Sequence, residues 1–276
     1  MRFHDSVVRS EHEHLLGELV AEMRVFPWVE AACPLCEEAT GVPALEKWGI
    51  TVCRCAECDH LFVSPRMPRE AVPALYGSRY WHAHALATGC PPLSERVQFD
   101  YENAQTKLDR DVVPFRRSGR LLDVGASNGG FVRRACEQGF VAVGLEPSAE
   151  ICALARSAHG VEMHCGTLLD EQFAPASFDV ITLHDVLEHL LEPSLDLAVA
   201  ARLLAPAGLL VVETLTSSSL ELAELGADWP LLSPLEHPHY FSESGGATLV
   251  ERAGLRVLDL YSPHENNWIA IAEKPS

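Results

Sequence analysis

Residues 121–131 read Leu121-Leu122-Asp123-Val124-Gly125-Ala126-Ser127-Asn128-Gly129-Gly130-Phe131. An apolar run passes into glycines and then into helical periodicity. That order predicts a buried strand, a tight turn and a helix over 129–138. Glycine lets the backbone turn sharply and approach a ligand closely. The helix start offers free N–H groups and positive potential. Twenty-two residues past Val124, a second apolar run, Val141 to Leu145, ends in Glu146. An acid at that position can accept both hydroxyls of a ribose, so the stretch predicts a nucleoside-type cofactor site.

The same alternation continues outward. Helix is expected over 148–158, strand over 161–164, strand over 178–183, helix over 194–204 and strand over 208–215. Such βαβ alternation implies an α/β fold with a mostly parallel sheet. A helix over 243–253 precedes two strands, 256–261 and 268–272, with little helix between them. Those two are expected to pair antiparallel at one edge. Upstream, residues 5–23 read as a helix that ends at Pro27. Residues 33–58 hold five of the nine cysteines. Residues 69–118 read as short helices and loops, with a Tyr76, Tyr80, Trp81 cluster, a break at Cys90-Pro91-Pro92 and a helix over 95–113. The expected divisions are an N-terminal helix (1–29), a cysteine module (30–66), a helical connector or lid (67–118) and the α/β domain (119–276). No internal repeat or low-complexity tract interrupts them.

Two cofactor classes suit the glycine turn. A nicotinamide dinucleotide would want G-x-G-x-x-G, but Gly125 is followed by Gly129 and Gly130. No tyrosine has a lysine four residues later. Asp123 inside the strand end suits a ligand carrying ammonium or sulfonium charge better than a pyrophosphate. The string L-D-V-G-A-S-N-G-G-F resembles motif I of class I S-adenosylmethionine-dependent methyltransferases, with Ser127 where a glycine is common. Gly144-Leu145-Glu146-Pro147-Ser148 is similar to the segment with the family's ribose-binding acid, and Cys165-Gly166-Thr167-Leu168 to its adenine loop. Ser177 to Thr182, Leu203 to Leu210, His239-Tyr240-Phe241-Ser242 and Ala253-Gly254-Leu255 resemble its later motifs. The resemblance spans about residues 119–273 and implies a Rossmann-like methyltransferase sheet. It places Asp123, Gly125 and Ala126 along the methionine end of the cofactor, Glu146 on the ribose, Thr167 and Leu168 beside the adenine and His184 near the methyl group. It adds Ser127, Gly129 and Pro147 to the cofactor-binding set.

Cys33-Pro34-Leu35-Cys36 and Cys55-Ala56-Glu57-Cys58 make C-x2-C-x18-C-x2-C. Two thiolates from one turn reach one metal, and two such turns complete a tetrahedron. A structural Zn2+ held by Cys33, Cys36, Cys55 and Cys58 is expected; iron in a rubredoxin-like site has the same ligands. Cys53 is expected to point away, and Cys90, Cys136, Cys152 and Cys165 to be small core residues. Zinc ribbons often bind nucleic acid. Between Ala31 and Arg66, however, three basic residues face five acids. The segment looks like the zinc-binding leader of bacterial methyltransferases acting on small molecules and sugars. Sugar C-methyltransferases carry a related leader plus a long C-terminal domain, for which this chain ends too soon.

Methyl transfer to a hydroxyl or carbon acid needs an oriented acceptor and a proton acceptor. His184, His189, His237 and His239 are the candidate bases, with His237 and His239 expected over the acceptor pocket and Trp229 and Tyr240 as walls or core. If residues 185–189 are helical, Asp185, Glu188 and His189 share a face. That stretch resembles the E-x-x-E-H segment of ubiquinone-type O-methyltransferases, which can bind a divalent cation. The net charge of -18 disfavours nucleic acid. The polar start and the lack of an apolar run of membrane-spanning length predict a cytoplasmic protein without a membrane partner. The expected partner is a small-molecule acceptor, methylated on oxygen in preference to carbon or nitrogen. The rival readings are a sugar C-methyltransferase, a nucleotide-dependent oxidoreductase and a non-catalytic binding protein. Oligomeric state is not fixed by the sequence.

Overall fold

A computed structural model describes residues 6–37, 41–76, 80, 93–170 and 173–276. Trp81 and Cys90-Pro91-Pro92 lie outside the described residues. The elements are α1 (Ser6–Met23), β1 (Gly41–Lys47), β2 (Ile50–Cys55), β3 (Leu61–Val63), α2 (Val72–Leu75), α3 (Leu93–Lys107), β4 (Gly119–Val124), α4 (Gly130–Gln138), β5 (Phe140–Glu146) and α5 (Ala149–His159). They continue with β6 (Glu162–Cys165), β7 (Phe178–His184), α6 (Pro193–Leu203), β8 (Leu204–Leu215), α7 (Leu220–Leu225), β9 (His239–Tyr240), α8 (Glu243–Arg252), β10 (Arg256–His264) and β11 (Asn267–Glu273).

The main sheet has seven strands in the order β10-β11-β8-β7-β4-β5-β6. β4, β5, β6, β7 and β8 run parallel, and β11 and β10 close one edge antiparallel. The central strands are mostly apolar because helices cover both faces, and a strand buried on both sides has no use for alternation. One core packs Leu122, Leu183, Leu210 and Trp268 against α6 and α8. The other packs Leu121, Val180 and Val211 against α3, α4 and α5. β4 sits between β5 on one side and β7 on the other. The chain reverses direction of winding there, so the helices after β4 and β7 diverge and leave a crevice beyond the strands' carboxyl ends.

A second sheet has the order β1-β2-β3-β9. Its fourth strand, His239–Tyr240, comes from the α/β part of the chain, with Leu61 opposite Tyr240 and Phe62 opposite His239. The cysteine segment is therefore joined to residues 119–276 by a shared sheet. Leu16, Leu19, Val20 and Met23 of α1 pack with Ile50, Val52, Leu75, Trp229 and Tyr240 in a third core. Trp229 and Tyr240 are fully buried there and do not wall the cavity described below. Cys152 is buried as expected, but Cys136 and Cys165 are exposed. Both lie near the ends of their elements, Cys136 on the outer helix α4 and Cys165 on the edge strand β6. Among the described residues no helix is long and apolar enough to cross a membrane.

Candidate active site

A cavity of about 530 Å³ opens at the carboxyl ends of β4, β5 and β7. Asp123, Gly125, Ala126, Ser127, Glu146 and Pro147 line its floor, and Thr167, Leu168 and His184 line it further along. The carboxylate of Glu146 is buried and accepts a backbone N–H at each oxygen, from Ser127 at 3.1 Å and from Ser148 at 3.0 Å. Burial pushes its pKa up to about 7 against those two N–H groups. Asp123 is also buried and raised by burial, and it accepts the Thr182 hydroxyl at 2.7 Å. The Thr167 hydroxyl donates to Asp170 at 2.6 Å, and Arg69 from the connector pairs with the same Asp170.

Gly125 takes φ +68°, and a Cβ there would lie 2.4 Å from Cγ2 of Val186. Left-handed backbone costs a non-glycine residue about 1–2 kcal/mol, and overpacking adds about 1–3 kcal/mol. Gly125→Ala is expected to lower stability by roughly 2–5 kcal/mol in thermal or urea melts. Adding Val186→Ala should recover only the steric part; full recovery would show that the backbone is not strained. Gly129 does not line the cavity. Its Cα faces Val161 and Ala155, so it closes the turn on α5 rather than on a ligand. Asn128, not singled out from the sequence, is fully buried. Its amide oxygen caps α4 at the Gly130 N–H (3.2 Å), and its NH2 group donates to Asp100 at 2.6 Å.

The four histidines separate. His184, His189 and His237 line the cavity. His239 does not: it lies in β9, fully buried, against His60 at 3.4 Å and Arg66 at 3.2 Å. Burial first, then the neighbouring His60 and Arg66, pushes its pKa well down, which suits a neutral structural group. His237 sits in the turn before β9, where its ring meets that of His189 at 4.6 Å. The segment 185–189 is a turn and a short 3-10 helix, not an α-helix. Asp185 has φ +56° and pairs with Lys107 at 2.9 Å, and its carboxylate is not among the donors that converge with Glu188 and His189. The group with donor atoms within 4.8 Å of one another is Glu188, His189 and His237. Glu188 accepts the Thr214 hydroxyl at 2.6 Å, and burial raises its pKa to about 8. Tyr76, brought by the connector, is 3.1 Å from Nδ1 of His189.

Away from the cavity, Cys33, Cys36, Cys55 and Cys58 bring their sulfurs within 4.8 Å of one another, with Cys33 and Cys58 at 3.6 Å. Four sulfurs around zinc at 2.3 Å stand roughly 3.8 Å apart, so the set fits a tetrahedral ion. Both turns present backbone N–H groups to sulfur: Leu35 and Cys36 to Cys33, Glu57 and Cys58 to Cys55. Those donors favour thiolates. Cys53, on β2, instead directs its sulfur to the Ser64 carbonyl at 3.7 Å.

Residues 98–260 match a family model described as a methyltransferase domain. A ubiquinone biosynthesis O-methyltransferase of Xanthomonas euvesicatoria is 27% identical over 228 residues, which are 73% of this chain and 92% of that enzyme. An enzyme of the same name from Caulobacter is 32% identical over 147 residues, 49% of this chain and 58% of that enzyme. This chain thus spans less than two thirds of the Caulobacter relative. Among solved structures, a SAM-dependent methyltransferase of Thermotoga maritima shares 20% identity at TM-score 0.51, over 66% of this chain and 94% of that one. A Pyrococcus horikoshii protein shares 18% at TM-score 0.53, over 65% and 91%. At such identities the structural likeness is one of fold.

Proposed function

This chain belongs to the methyltransferase-domain family and is an S-adenosylmethionine-dependent methyltransferase; on that premise, we propose that it methylates an oxygen of a small-molecule acceptor. The observation that carries the reading is Glu146, a buried carboxylate fixed by two N–H groups in a cavity at the sheet's switch point. On this reading Glu146 and Pro147 hold the ribose and Thr167 and Leu168 flank the adenine. Asp123, Gly125, Ala126 and Ser127 hold the methionine end. The cavity fits a cationic cofactor, because its carboxylates outnumber its cations, Arg69, Arg96 and Lys107. When bound, the cofactor supplies an electrophilic methyl group on sulfur.

The protein's own groups orient the acceptor and take its proton. Tyr76, Leu190 and Leu231 form an apolar wall that excludes water, with His184, His189 and His237 as polar groups beside it. A cavity of about 530 Å³ is of the size that takes small molecules, and the net charge of -18 opposes a nucleic-acid substrate. Oxygen as the acceptor atom is supported by the names of the Xanthomonas and Caulobacter relatives. A divalent cation on Glu188, His189 and His237 is a second reading, favoured by their convergence. We further assign structural zinc to Cys33, Cys36, Cys55 and Cys58, and a cytoplasmic site of action.

Transfer of labelled methyl from S-adenosylmethionine to catechol and related phenols, against amines and sugars, tests the reading. Label on phenolic oxygen supports it. Cofactor binding without transfer to any acceptor would favour a non-catalytic binding protein, and label on a sugar carbon would favour the C-methyltransferase. Addition of a chelator tests the cation.

A pH effect follows from Glu146. Its folded pKa, about 7, stands above the unfolded value near 4.3, so its contribution to stability is present below about pH 4.3 and lost as pH rises through 7. Ribose hydroxyls donate to the ionised form and pull the pKa down. Cofactor binding at pH 6 is therefore expected to release a proton, and affinity should rise up to about pH 7. Calorimetry in two buffers of different ionisation enthalpy reads this directly; identical heats would count against it.

A further inference from the structure

The chain departs from regular α-helix just after α3. Residues Leu108–Val112 form a π-helical turn, with the Val113 N–H donating to the Leu108 carbonyl. π-turns carry one extra residue and often mark functional sites. Here the turn directs Asp111 inward, where it is fully buried. Arg110 grips both oxygens of that carboxylate at 2.6 and 2.7 Å, and Tyr261 donates to it at 2.7 Å. Oδ2 of Asp111 lies 3.5 Å from Nε2 of His184.

His184 stands at the end of β7, one residue beyond Leu183, which pairs with Val124 ahead of the glycine turn. The Phe131 ring, 4.8 Å away and tilted, confines the imidazole from another side. Both ring nitrogens are buried and neither has a hydrogen-bond partner among the described residues, with Asp111 within ion-pair reach of Nε2. Asp111, His184 and Glu213 bring donor atoms within 4.8 Å, a spacing that would suit a cation. Arg110 and Lys107 already pair both carboxylates, with Lys107 2.8 Å from Glu213. The cluster is thus an ion-paired network with the His184 imidazole set against one of its carboxylates.

Resting on the O-methylation reading, we propose that His184 is the general base for the acceptor hydroxyl and that Asp111 is its positioning residue. A base needs one free nitrogen, a fixed tautomer and a counter-charge for the imidazolium. Asp111, 3.5 Å from Nε2, supplies the last two by drawing the ring proton to that nitrogen, and Nδ1 is then the free one. Burial works to raise the Asp111 pKa, but Arg110, His184 and Tyr261 outweigh it and hold it at about 2, so the counter-charge persists at every working pH. Glu188, the carboxyl near His189 and His237, is raised to about 8 and gives no such fixed charge at neutral pH. His189 and His237 meet the Tyr76 phenol and the Leu231 carbonyl, contacts that suit acceptor placement. In the reaction the acceptor oxygen forms its bond to the methyl carbon and loses its proton to Nδ1. The carbon–sulfur bond breaks with its electron pair kept by sulfur.

The charged and titratable groups facing His184 are Asp111 and Lys107 from the α3 end, Asp123 of β4, Asp185 of its own segment and Glu213 of β8. The test begins with histidine-15N-labelled protein bound to S-adenosylhomocysteine, His184 being assigned with His184→Gln. The Nε2–H tautomer with bare Nδ1 is expected, and Asp111→Ala should let the ring redistribute between its two tautomers. An Nδ1–H tautomer in the wild type, or a tautomer unchanged in Asp111→Ala, would overturn the dyad without reference to any acceptor. With catechol, Asp111→Asn should lose 100-fold or more in kcat with KM within threefold, and the acidic limb of its pH profile should move down. His184→Gly should regain at least tenfold in rate with added imidazole, a readout that needs no Asp111 variant. Wild-type rates within threefold in either variant would overturn the base role while leaving O-methylation standing. Failure of the wild type to methylate any hydroxyl would overturn O-methylation and the base role together, and the tautomer would still decide the dyad.

Discussion

Glu146→Ala is expected to weaken S-adenosylmethionine binding by about 100- to 10,000-fold while leaving the unliganded protein folded. The carboxylate is the acceptor for both ribose hydroxyls on the proposed reading, and hydrogen bonds to a charged group are worth about 1.5–3 kcal/mol each. Two of them convert to the stated range at about 1.4 kcal/mol per decade. The variant also strips the acceptor from the Ser127 and Ser148 N–H groups at the floor of the cavity, while the Gly125 and Ala126 N–H groups still tie the glycine turn to the Leu145 carbonyl of β5. Stability should change much less than affinity. The lost hydrogen bonds are offset by removal of a carboxylate whose ionisation burial already opposes. Calorimetric titration beside a thermal melt reads both quantities. Affinity within threefold of the wild type would mean that the ribose is held elsewhere, and the assignment of the floor of the cavity would have to be redrawn.

The double variant Cys33→Ser, Cys36→Ser is expected to lose one zinc per chain and to melt far below the wild type, by 10 °C or more. Structural zinc binding is worth about 10–16 kcal/mol in small zinc modules. Loss of even ~5 kcal/mol moves the midpoint by roughly 10–20 °C for a chain of this size. The damage should not stay local. Cys33 and Cys55 pack in the same core as Phe62, Phe241 and Trp268, and β3 is the strand on which β9 is laid down. Loosening the cysteine turns therefore frees the His237–Phe241 segment, and with it one side of the cavity. Metal analysis of the purified protein and melts with and without a chelator provide the check. A zinc-free wild type with an unchanged melting curve would remove the metal from this account.

The sheet and the glycine-turn end of the cavity were legible because their signals are local. A buried parallel strand is a short apolar run, and the turn after β4 needs glycine where φ is positive. Glu146 sits at a fixed distance along the βαβ unit, whatever the remainder of the chain does. The cysteine spacing is likewise a property of two turns. The histidine end of the cavity was legible only in part. His237 and His239 are two residues apart, yet one lies in a turn facing the cavity and the other in a strand that pairs with Phe62. Asp185 and His189 look like helix neighbours, but a left-handed residue and an ion pair to Lys107 redirect the first of them. Asp111 and Tyr76 carry no motif; each reaches its histidine from more than 70 residues away.

The sequence by itself determined the doubly wound sheet, the antiparallel edge, the glycine turn with its acid and the grouping of the four cysteines. Each of these rests on periodicity, turn chemistry or ligand spacing within about thirty residues. Only the tertiary structure decided that β9 completes the cysteine segment's sheet. It alone removed His239 from the cavity, exchanged Asp185 for His237 beside Glu188, and set a buried, ionised Asp111 behind His184. Those outcomes depend on which distant strands and turns pack together. The free energy that selects them, burial of apolar surface with most buried polar groups hydrogen-bonded, belongs to the whole core rather than to any one segment.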